Sequence, residues 1–450
     1  MARRRREPET ARIDAVTHDG RGIASINGKK AFVAGALAGE TVQFIRRKSR
    51  RNFDECELLE VIEASADRID ARCAAFGRCG GCSLQHVTPQ HQRDIKDRTL
   101  RDNLERIGRV EPDTWLAPMQ GPEWNYRRRA RLAVKDVPAK GRALVGFRER
   151  HAPFITDMHR CEVLAKPVDD LIDALSELIG RLSIRARLPQ IEVAIADNDV
   201  ALVFRVLDPP TEADKSELIA FGTDKGLRIY LQPGGLDSVV LLHPSTMSEP
   251  LYYSLAEFDI KIAFEPIDFV QVNSDINERM VHFAVEQLQV RPGDRVLDLY
   301  CGIGNFSLPL ARRAGTVLGV EGEATLVARA GENARRNDLE NAEFRVADLS
   351  KIDGTESWVK AGWDRLLLDP ARSGAADVVA QTHLFGPDRI VYVSCHPGTL
   401  ARDAGTLVHE KGYKLEAAGI IDMFPHTAHV ESVGIFTKSR QRPARHSGCH

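Results

Sequence analysis

The sequence predicts an α/β protein in three parts: a small N-terminal β-barrel over residues 11–64, an α+β region over 65–265, and an open α/β sheet over 266–440. Three observations carry this expectation. Apolar strands in the last third run directly into glycine turns, as where Arg295-Val296-Leu297-Asp298-Leu299 precedes Tyr300-Cys301-Gly302-Ile303-Gly304; this is the strand–turn–helix order of a wound sheet. Three cysteines crowd into Cys73-x5-Cys79-Gly80-Gly81-Cys82. Short apolar alternations broken by glycines fill residues 13–63, as the strands of a small barrel require.

A chain of 450 residues, 43% hydrophobic and 28% charged, can bury two or three cores. No apolar run approaches the roughly 20 residues of a membrane span. Arg3 to Arg6 lead into Glu7 and Pro8 rather than an apolar signal core, so a cytoplasmic protein without membrane association is expected. Eight cysteines in a reducing compartment are not expected to form a disulfide framework, which leaves metal binding or catalysis to explain their clustering. The net charge of −2 conceals an asymmetry, because residues 1–51 carry 13 Lys and Arg against 5 Asp and Glu. A basic N-terminus on an acidic body suits a polyanionic partner. Residues 1–10 and 441–450 are expected to be flexible tails.

In the barrel, Asp19-Gly20-Arg21-Gly22, Asn27-Gly28, Gly35 and Gly39 mark the turns. The run Arg46-Arg47-Lys48-Ser49-Arg50-Arg51 is expected on a hairpin between strands at 42–45 and 56–62. OB-like barrels use such faces and loops for oligonucleotides, which makes Arg46, Arg47, Lys48 and Arg50 candidate RNA contacts rather than merely solvated charges. His18-Asp19-Gly20-Arg21-Gly22-Ile23-Ala24 and Phe32-Val33-Ala34-Gly35-Ala36-Leu37-Ala38-Gly39-Glu40 resemble a TRAM domain, an RNA-binding barrel.

Cys73, Cys79 and Cys82, with two glycines to let the backbone fold tightly, are suited to wrap one metal centre. A fourth ligand is needed for either a tetrahedral zinc or a cubane cluster. Cys161 is the best candidate, because Cys301 and Cys395 belong to the C-terminal half and Cys56 falls on a barrel strand. Zinc sites more often show two separated cysteine pairs, so a triplet with one distant cysteine favours iron–sulfur, with zinc as the alternative. The triplet also resembles the cluster motif of RNA uracil-5-methyltransferases that carry a [4Fe-4S] centre.

Thr88-Pro89 and Gly108 bracket a helix with apolar positions at Ile95, Leu100, Leu104 and Ile107, expected to pack against the cysteine region. Asn125 to Val134 reads as a strand in which Arg127, Arg129 and Arg131 share a face beside an aromatic, and Gly146-Phe147-Arg148 repeats the theme. Arginines interleaved with aromatics suit phosphate contact and base stacking on unpaired RNA; a solvated strand face is the alternative. Residues 165–265 alternate a helix at 168–182 with strands at 190–196, 200–206 and 229–232.

The turn after Leu299 opens a nucleotide site, with Gly302 and Gly304 letting a ligand approach the backbone. Ser307 stands where a dinucleotide fold wants its third glycine, which argues against NAD. Asp298, Glu321 after the next strand, and Asp348 in Val346-Ala347-Asp348 fit S-adenosylmethionine, Glu321 accepting the ribose hydroxyls. Two further strands end in reactive groups and a third is preceded by one. Residues 366–368 lead to Asp369-Pro370-Ala371-Arg372, residues 390–393 to Ser394-Cys395-His396-Pro397, and Phe424-Pro425-His426-Thr427-Ala428-His429-Val430-Glu431 precedes a strand at 433–437. Asp369, Cys395 and Glu431 therefore converge on one sheet edge.

Together these motifs resemble the 23S ribosomal RNA uracil-5-methyltransferase family over nearly the whole chain. Members acting on transfer RNA generally lack both barrel and cluster, and a sister ribosomal enzyme lacks the barrel, so the layout matches the TRAM-bearing subfamily. The resemblance implies cofactor contacts at Gln271, Tyr300, Asn305, Glu321, Asp348 and Asp369, a 23S rRNA loop uridine as substrate, and no obligate protein partner. One departure is His396, where the family usually has Asn. Carbon 5 of uracil is a poor nucleophile, so Cys395 is expected to add to carbon 6 as a thiolate. Glu431 would then remove the carbon 5 proton as general base. The target base must leave its stack to be reached. Competing readings are a sister enzyme acting on tRNA, a non-catalytic redox-sensing RNA-binding factor, and a methyltransferase for a small molecule or protein.

Overall fold

A computed structural model describes residues 7–17, 19–150 and 152–439; Arg3 to Arg6, His18 and the 441–450 tail lie outside the described residues. The N-terminal strands are β1 (Glu9–Arg12), β2 (Ala15–Val16), β3 (Arg21–Ile26), β4 (Lys29–Ala34), β5 (Thr41–Ser49) and β6 (Phe53–Glu63). They form one sheet in the order β1-β5-β6-β4-β3-β2. Alternation sends Ala24, Ala31, Val33, Val42 and Phe44 inward around Ile13, Ala36 and Cys56. Asn27 and Gly28, both at positive φ (48° and 79°), make the two-residue turn that joins β3 to β4.

Two boundaries differ from the sequence expectation. Glu9 and Thr10, expected in the tail, pair with Phe44 and Gln43 and begin the sheet. Arg46, Arg47 and Lys48 lie within β5 rather than on a hairpin loop, because carboxylates on β6 face them. Arg46 meets Asp54 at 3.1 Å, Arg47 meets Glu57, and Lys48 stands opposite Glu55.

Beyond the cysteine segment comes α1 (Pro89–Asn103), extended by a π-helical turn over Leu104–Gly108. Ile95 packs against Leu84 and Val87, which follow the cysteine triplet, and Gln92 Nε2 donates to Val87 O at 2.9 Å, so the expected contact with the cysteine region forms on one side. The buried face of α1 (Gln92, Lys96, Leu100) turns to the C-terminal sheet, where Lys96 Nζ reaches Asp422 Oδ1 at 2.6 Å and Phe424 O at 2.9 Å. Burial of that ammonium is offset by these two acceptors. The short β7 (Thr114–Trp115) follows and joins the same sheet as an edge strand.

The central sheet comprises β8 (Arg129–Val137), β9 (Arg142–Gly146), β10 (Gln190–Ile195), β11 (Val200–Arg205), β12 (Arg228–Gln232) and β13 (Val240–His243), in the order β13-β12-β11-β10-β8-β9. Helix α2 (Ile172–Arg181) packs on β9, burying Leu175, Leu178 and Ile179 at helical spacing. Helix α3 (Glu212–Lys225) starts with a Thr211–Asp214 capping box. A hairpin of β14 (Leu251–Leu255) and β15 (Ile260–Phe264) leads out.

The C-terminal part runs α4 (Ser274–Leu288), β16 (Arg295–Leu299), α5 (Ser307–Ala311), β17 (Thr316–Glu321), α6 (Ala324–Arg336), β18 (Ala342–Val346), β19 (Arg365–Leu368), α7 (Ala376–Ala380), α8 (Thr382–Phe385), β20 (Arg389–Ser394), α9 (Pro397–His409), β21 (Tyr413–Ile421) and β22 (Glu431–Lys438). Its sheet order is β18-β17-β16-β19-β20-β22-β21-β7. β16 to β20 are parallel, and β22 alone runs antiparallel to its neighbours β20 and β21. β19 and β20 are buried on both faces, as parallel strands under helices must be. Strand order reverses between β16 and β19, so a crevice opens at their carboxyl ends.

Candidate active site

That crevice is a cleft of about 510 Å³. Its cofactor-side wall is the turn after β16. Tyr300, Gly302 and Gly304 take positive φ (67°, 53° and 98°), and a Cβ on Gly304 would lie 3.1 Å from Leu308, so glycine lets α5 start close under the turn. Asn305 is held by two residues: it exchanges amide hydrogen bonds with Asn277 (2.9 and 3.0 Å) and accepts from Tyr253 Oη at 2.9 Å. Glu321, at the end of β17, accepts from the amides of Gly302 (3.3 Å) and Gly322 (2.7 Å) and also lines the cleft, as does Gln271.

Two further acids lie beneath and beside this wall. Asp348 is exposed and does not line the cleft. It accepts from Ser350 N and Oγ (3.1 and 2.6 Å) and pairs with Lys351 at 2.7 Å, which pulls its carboxyl down to about 2. Its strand β18 pairs with β17, with Val346 opposite Glu321 and Ala347 N bonded to Glu321 O at 3.0 Å, so Asp348 follows directly beside Glu321. Asp298 is fully buried beneath the cleft, hydrogen-bonded by Ser307, and burial pushes its carboxyl up to about 7. Ser307, in the place of a third glycine, thus anchors the helix start to the strand.

The opposite wall carries the reactive groups. Cys395 follows β20, and its thiol is pushed up to about 11, first by burial and then by Glu431 and Asp369, with Arg372 opposing them. Asp369, after β19, is held well above the usual carboxylate range by burial, Glu431 and Asp298. Glu431 opens β22 opposite Ile421, is 7% exposed, and has His429 Nε2 3.2 Å from its Oε1. His396 caps α9: its Nδ1 accepts from Thr399 N at 3.2 Å. An imidazole Nδ1 there does the capping an asparagine oxygen would do, which accounts for the departure from the family pattern.

Asp369, Cys395 and Glu431 thus share one cleft with Gln271, Tyr300, Gly302, Asn305 and Glu321. Sequence reasoning missed Tyr253, Arg372 and His429, which line the same cleft. Tyr253 lies in the β14–β15 hairpin, whose alternation in Leu251-Tyr252-Tyr253-Ser254-Leu255 was the available signal; His429 stood two residues from Glu431 in the quoted motif.

Cys73, Cys79, Cys82 and Cys161 line a second, enclosed cavity of about 20 Å³ walled by Phe76, Phe147 and Met158. Gly81 N donates to Cys79 Sγ at 3.3 Å. A Cβ on Gly80 would lie 2.9 Å from Arg148 O, so only glycine lets this loop close. Burial pushes Cys82 up to about 12 and Cys161 to about 11. Among the described residues no group of three or more His, Cys, Asp or Glu is positioned to hold a metal ion. The thiols share a cavity without yet sharing a coordination geometry.

The candidate RNA contacts divide. Lys48 and Arg50 are exposed. Arg46 is paired with Glu9 at 2.7 Å as well as Asp54, and Arg131 with Glu192 at 2.6 Å. The Arg127 guanidinium lies 5.6 Å from the Phe147 ring at the rim of the cysteine cavity. Arg129 turns inward to donate to Pro266 O, so it does not present its charge beside the other two.

Residues 254–440 match the family model described as tRNA (Uracil-5-)-methyltransferase. The 23S rRNA (uracil(1939)-C(5))-methyltransferase RlmD of Alkalilimnicola ehrlichii is 50% identical, covering 98% of this chain and 100% of that one. Its Methylococcus capsulatus counterpart is also 50% identical, over 96% and 97% of the two chains. The crystal structure of Pyrococcus abyssi tRNA (uracil-54, C5)-methyltransferase in complex with S-adenosyl-L-homocysteine superposes with a TM-score of 0.74 over 95% of this chain and 100% of that one. At 24% identity it shows a shared α/β methyltransferase fold.

Proposed function

This chain belongs to the 23S rRNA uracil-C5-methyltransferase family, and from that premise we propose how its own residues carry out the reaction. The protein methylates carbon 5 of a uridine in 23S rRNA, using S-adenosylmethionine. We assign that uridine to position 1939, after the shared name of the relatives. The observation that carries the residue assignment is a single cleft lined by Cys395, Asp369 and Glu431 on one wall and Tyr300, Asn305 and Glu321 on the other.

S-adenosylmethionine supplies an electrophilic methyl group on a sulfonium when bound. Gln271, Tyr300, Gly302, Gly304, Asn305, Glu321, Asp348 and Asp369 hold it, with Glu321 positioned for ribose hydroxyls. Cys395 Sγ adds to carbon 6 of uracil, which makes carbon 5 nucleophilic. The resting thiol is protonated at neutral pH, since burial and two carboxylates raise it to about 11. The S–H proton therefore leaves before attack and passes to solvent in the open cleft, because Glu431 has to stay ionised to take the carbon 5 proton. After methyl transfer Glu431 takes the carbon 5 proton and Cys395 leaves.

For the second cavity we assign a [4Fe-4S] cluster to Cys73, Cys79, Cys82 and Cys161. Four thiols facing one apolar space, with a glycine amide aimed at Cys79, support that donor set. The cluster would supply the cross-link that ties the cysteine loop to the central sheet. Residues 9–63 are read as the RNA-binding TRAM barrel, with Lys48 and Arg50 as its exposed cations, and Arg127 with Phe147 as a further RNA contact. Residues 64–265 and 266–440 complete the division, apart from α1 and β7. No helix among the described residues is long and apolar enough to cross a membrane, and we assign the protein to the cytoplasm.

The test is transfer of labelled methyl to unmodified 23S rRNA and, in parallel, to unmodified tRNA. The expected outcome is 5-methyluridine in 23S rRNA alone, reduced at least about 10⁴-fold by Cys395→Ala. Label in tRNA instead would move the chain to a sister subfamily. Label surviving Cys395→Ala would remove the covalent scheme.

A further inference from the structure

The geometry points to a positioning role for His429 in the deprotonation step, resting on the reading of Glu431 as general base. Arg372 Nη2 lies 3.5 Å from His429 Nδ1, and His429 Nε2 lies 3.2 Å from Glu431 Oε1. An arginine has only N–H donors, so Nδ1 must be the accepting nitrogen and the ring proton must sit on Nε2. Nε2–H then donates to Oε1. Phe424 meets the imidazole edge-on, with ring centroids 4.5 Å apart at 72°, and fixes the ring plane.

This arrangement assigns the two oxygens of Glu431 different work. Oε1 is held by His429, and Oε2 is left to receive the proton from carbon 5. As that C–H bond breaks, its electron pair re-forms the carbon 5–carbon 6 double bond. The Sγ–carbon 6 bond breaks with its pair returning to Cys395, and the proton ends on Oε2. Without the His429 donor the carboxylate of a 7% exposed residue loses its orienting partner in a site that allows little solvent to replace it. The carboxylate can then turn away from carbon 5, and the adduct persists.

The experiment uses full-length protein with 23S rRNA deuterated at carbon 5 of the target uridine. His429→Phe is expected to lower turnover about 10- to 100-fold, to accumulate an RNA adduct that survives denaturing gels, and to show a larger carbon 5 deuterium isotope effect than the wild type. His429→Gln, whose amide can donate to Oε1, should recover part of the rate. A ring that only shapes the RNA cleft would lower RNA affinity with no adduct and an unchanged isotope effect, overturning the inference. Glu431→Gln is run alongside. If it traps adduct and His429→Phe does not, this inference alone falls; if Glu431→Gln traps none, the general-base reading falls and takes this one with it.

Discussion

Thiols occur here in two settings that differ in number, in company and in use. At Cys73, Cys79, Cys82 and Cys161 sulfur surrounds about 20 Å³ of enclosed apolar space; at Cys395 one sulfur faces about 510 Å³ of open cleft between carboxylates. Burial raises the thiol in both, to about 12 at Cys82 and about 11 at Cys161 and Cys395. A depressed pKa therefore does not mark the nucleophile in this protein. The surroundings do: four thiols gathered on one small cavity can give up their protons together when they bind one shared cation, which folds the loop at once. The lone thiol between Asp369 and Glu431 gains nothing from a metal and everything from a substrate that enters and leaves.

The comparison breaks most readily at Cys82. Cys82→Ala should abolish iron and sulfide content and lower the melting temperature on the order of 10 °C, as loss of a metal cross-link does. Cys395→Ala should leave both unchanged. Iron retained by Cys82→Ala, or lost by Cys395→Ala, would end the division of labour; zinc in place of iron would keep it and change the metal.

A smaller effect sharpens the Cys395 side. Alkylation by iodoacetamide requires the thiolate, so its rate at Cys395 should rise about tenfold per pH unit until about pH 11. Removing a neighbouring negative charge stabilises the thiolate, so Asp369→Asn and Glu431→Gln should each move that midpoint to lower pH. A midpoint unmoved by both would mean that burial alone holds the proton. The smallest effect is expected at Asp348. Because its carboxylate is shared with Ser350 and Lys351, Asp348→Asn, which removes one acceptor beside Glu321, should weaken cofactor binding only about fivefold by calorimetry, the range of one hydrogen bond.

Much of this was legible in the chain, and the exceptions share a cause. Periodicity and glycines identify β16, its turn and the ends of β19 and β20, because a buried parallel strand has an apolar signature that local sequence carries in full. Asp369, Cys395 and Glu431 were placed by counting from those strands. Asp348 is harder to place, because a motif names a strand end without giving its neighbour; β18 pairs with β17 and so brings Asp348 beside Glu321. Arg129 was misread for a related reason: alternation assigns a side chain to a face, but Pro266 O, 137 positions away, decides whether that face is solvent. Helix α1 has a second partner the sequence does not announce, because its burial of Lys96 depends on Asp422, which no local pattern links to it.

The α1–β7 segment bears on how this protein could be dissected. It runs out of the cysteine loop and lays a helix and an eighth strand on the sheet that carries the cleft, with Leu116 N and Met119 N bonded to Ala418 O and Ile420 O. The stretch that matches the family model starts at residue 254, so a fragment cut there would leave β21 as a bare edge and the Leu100 and Leu104 contacts unfilled. Exposed edges of that kind recruit other chains. Expressed alone, the cofactor-binding half would be expected to aggregate unless residues 89–119 were supplied in trans, which makes the two halves a single cooperative unit that a sequence boundary cannot divide.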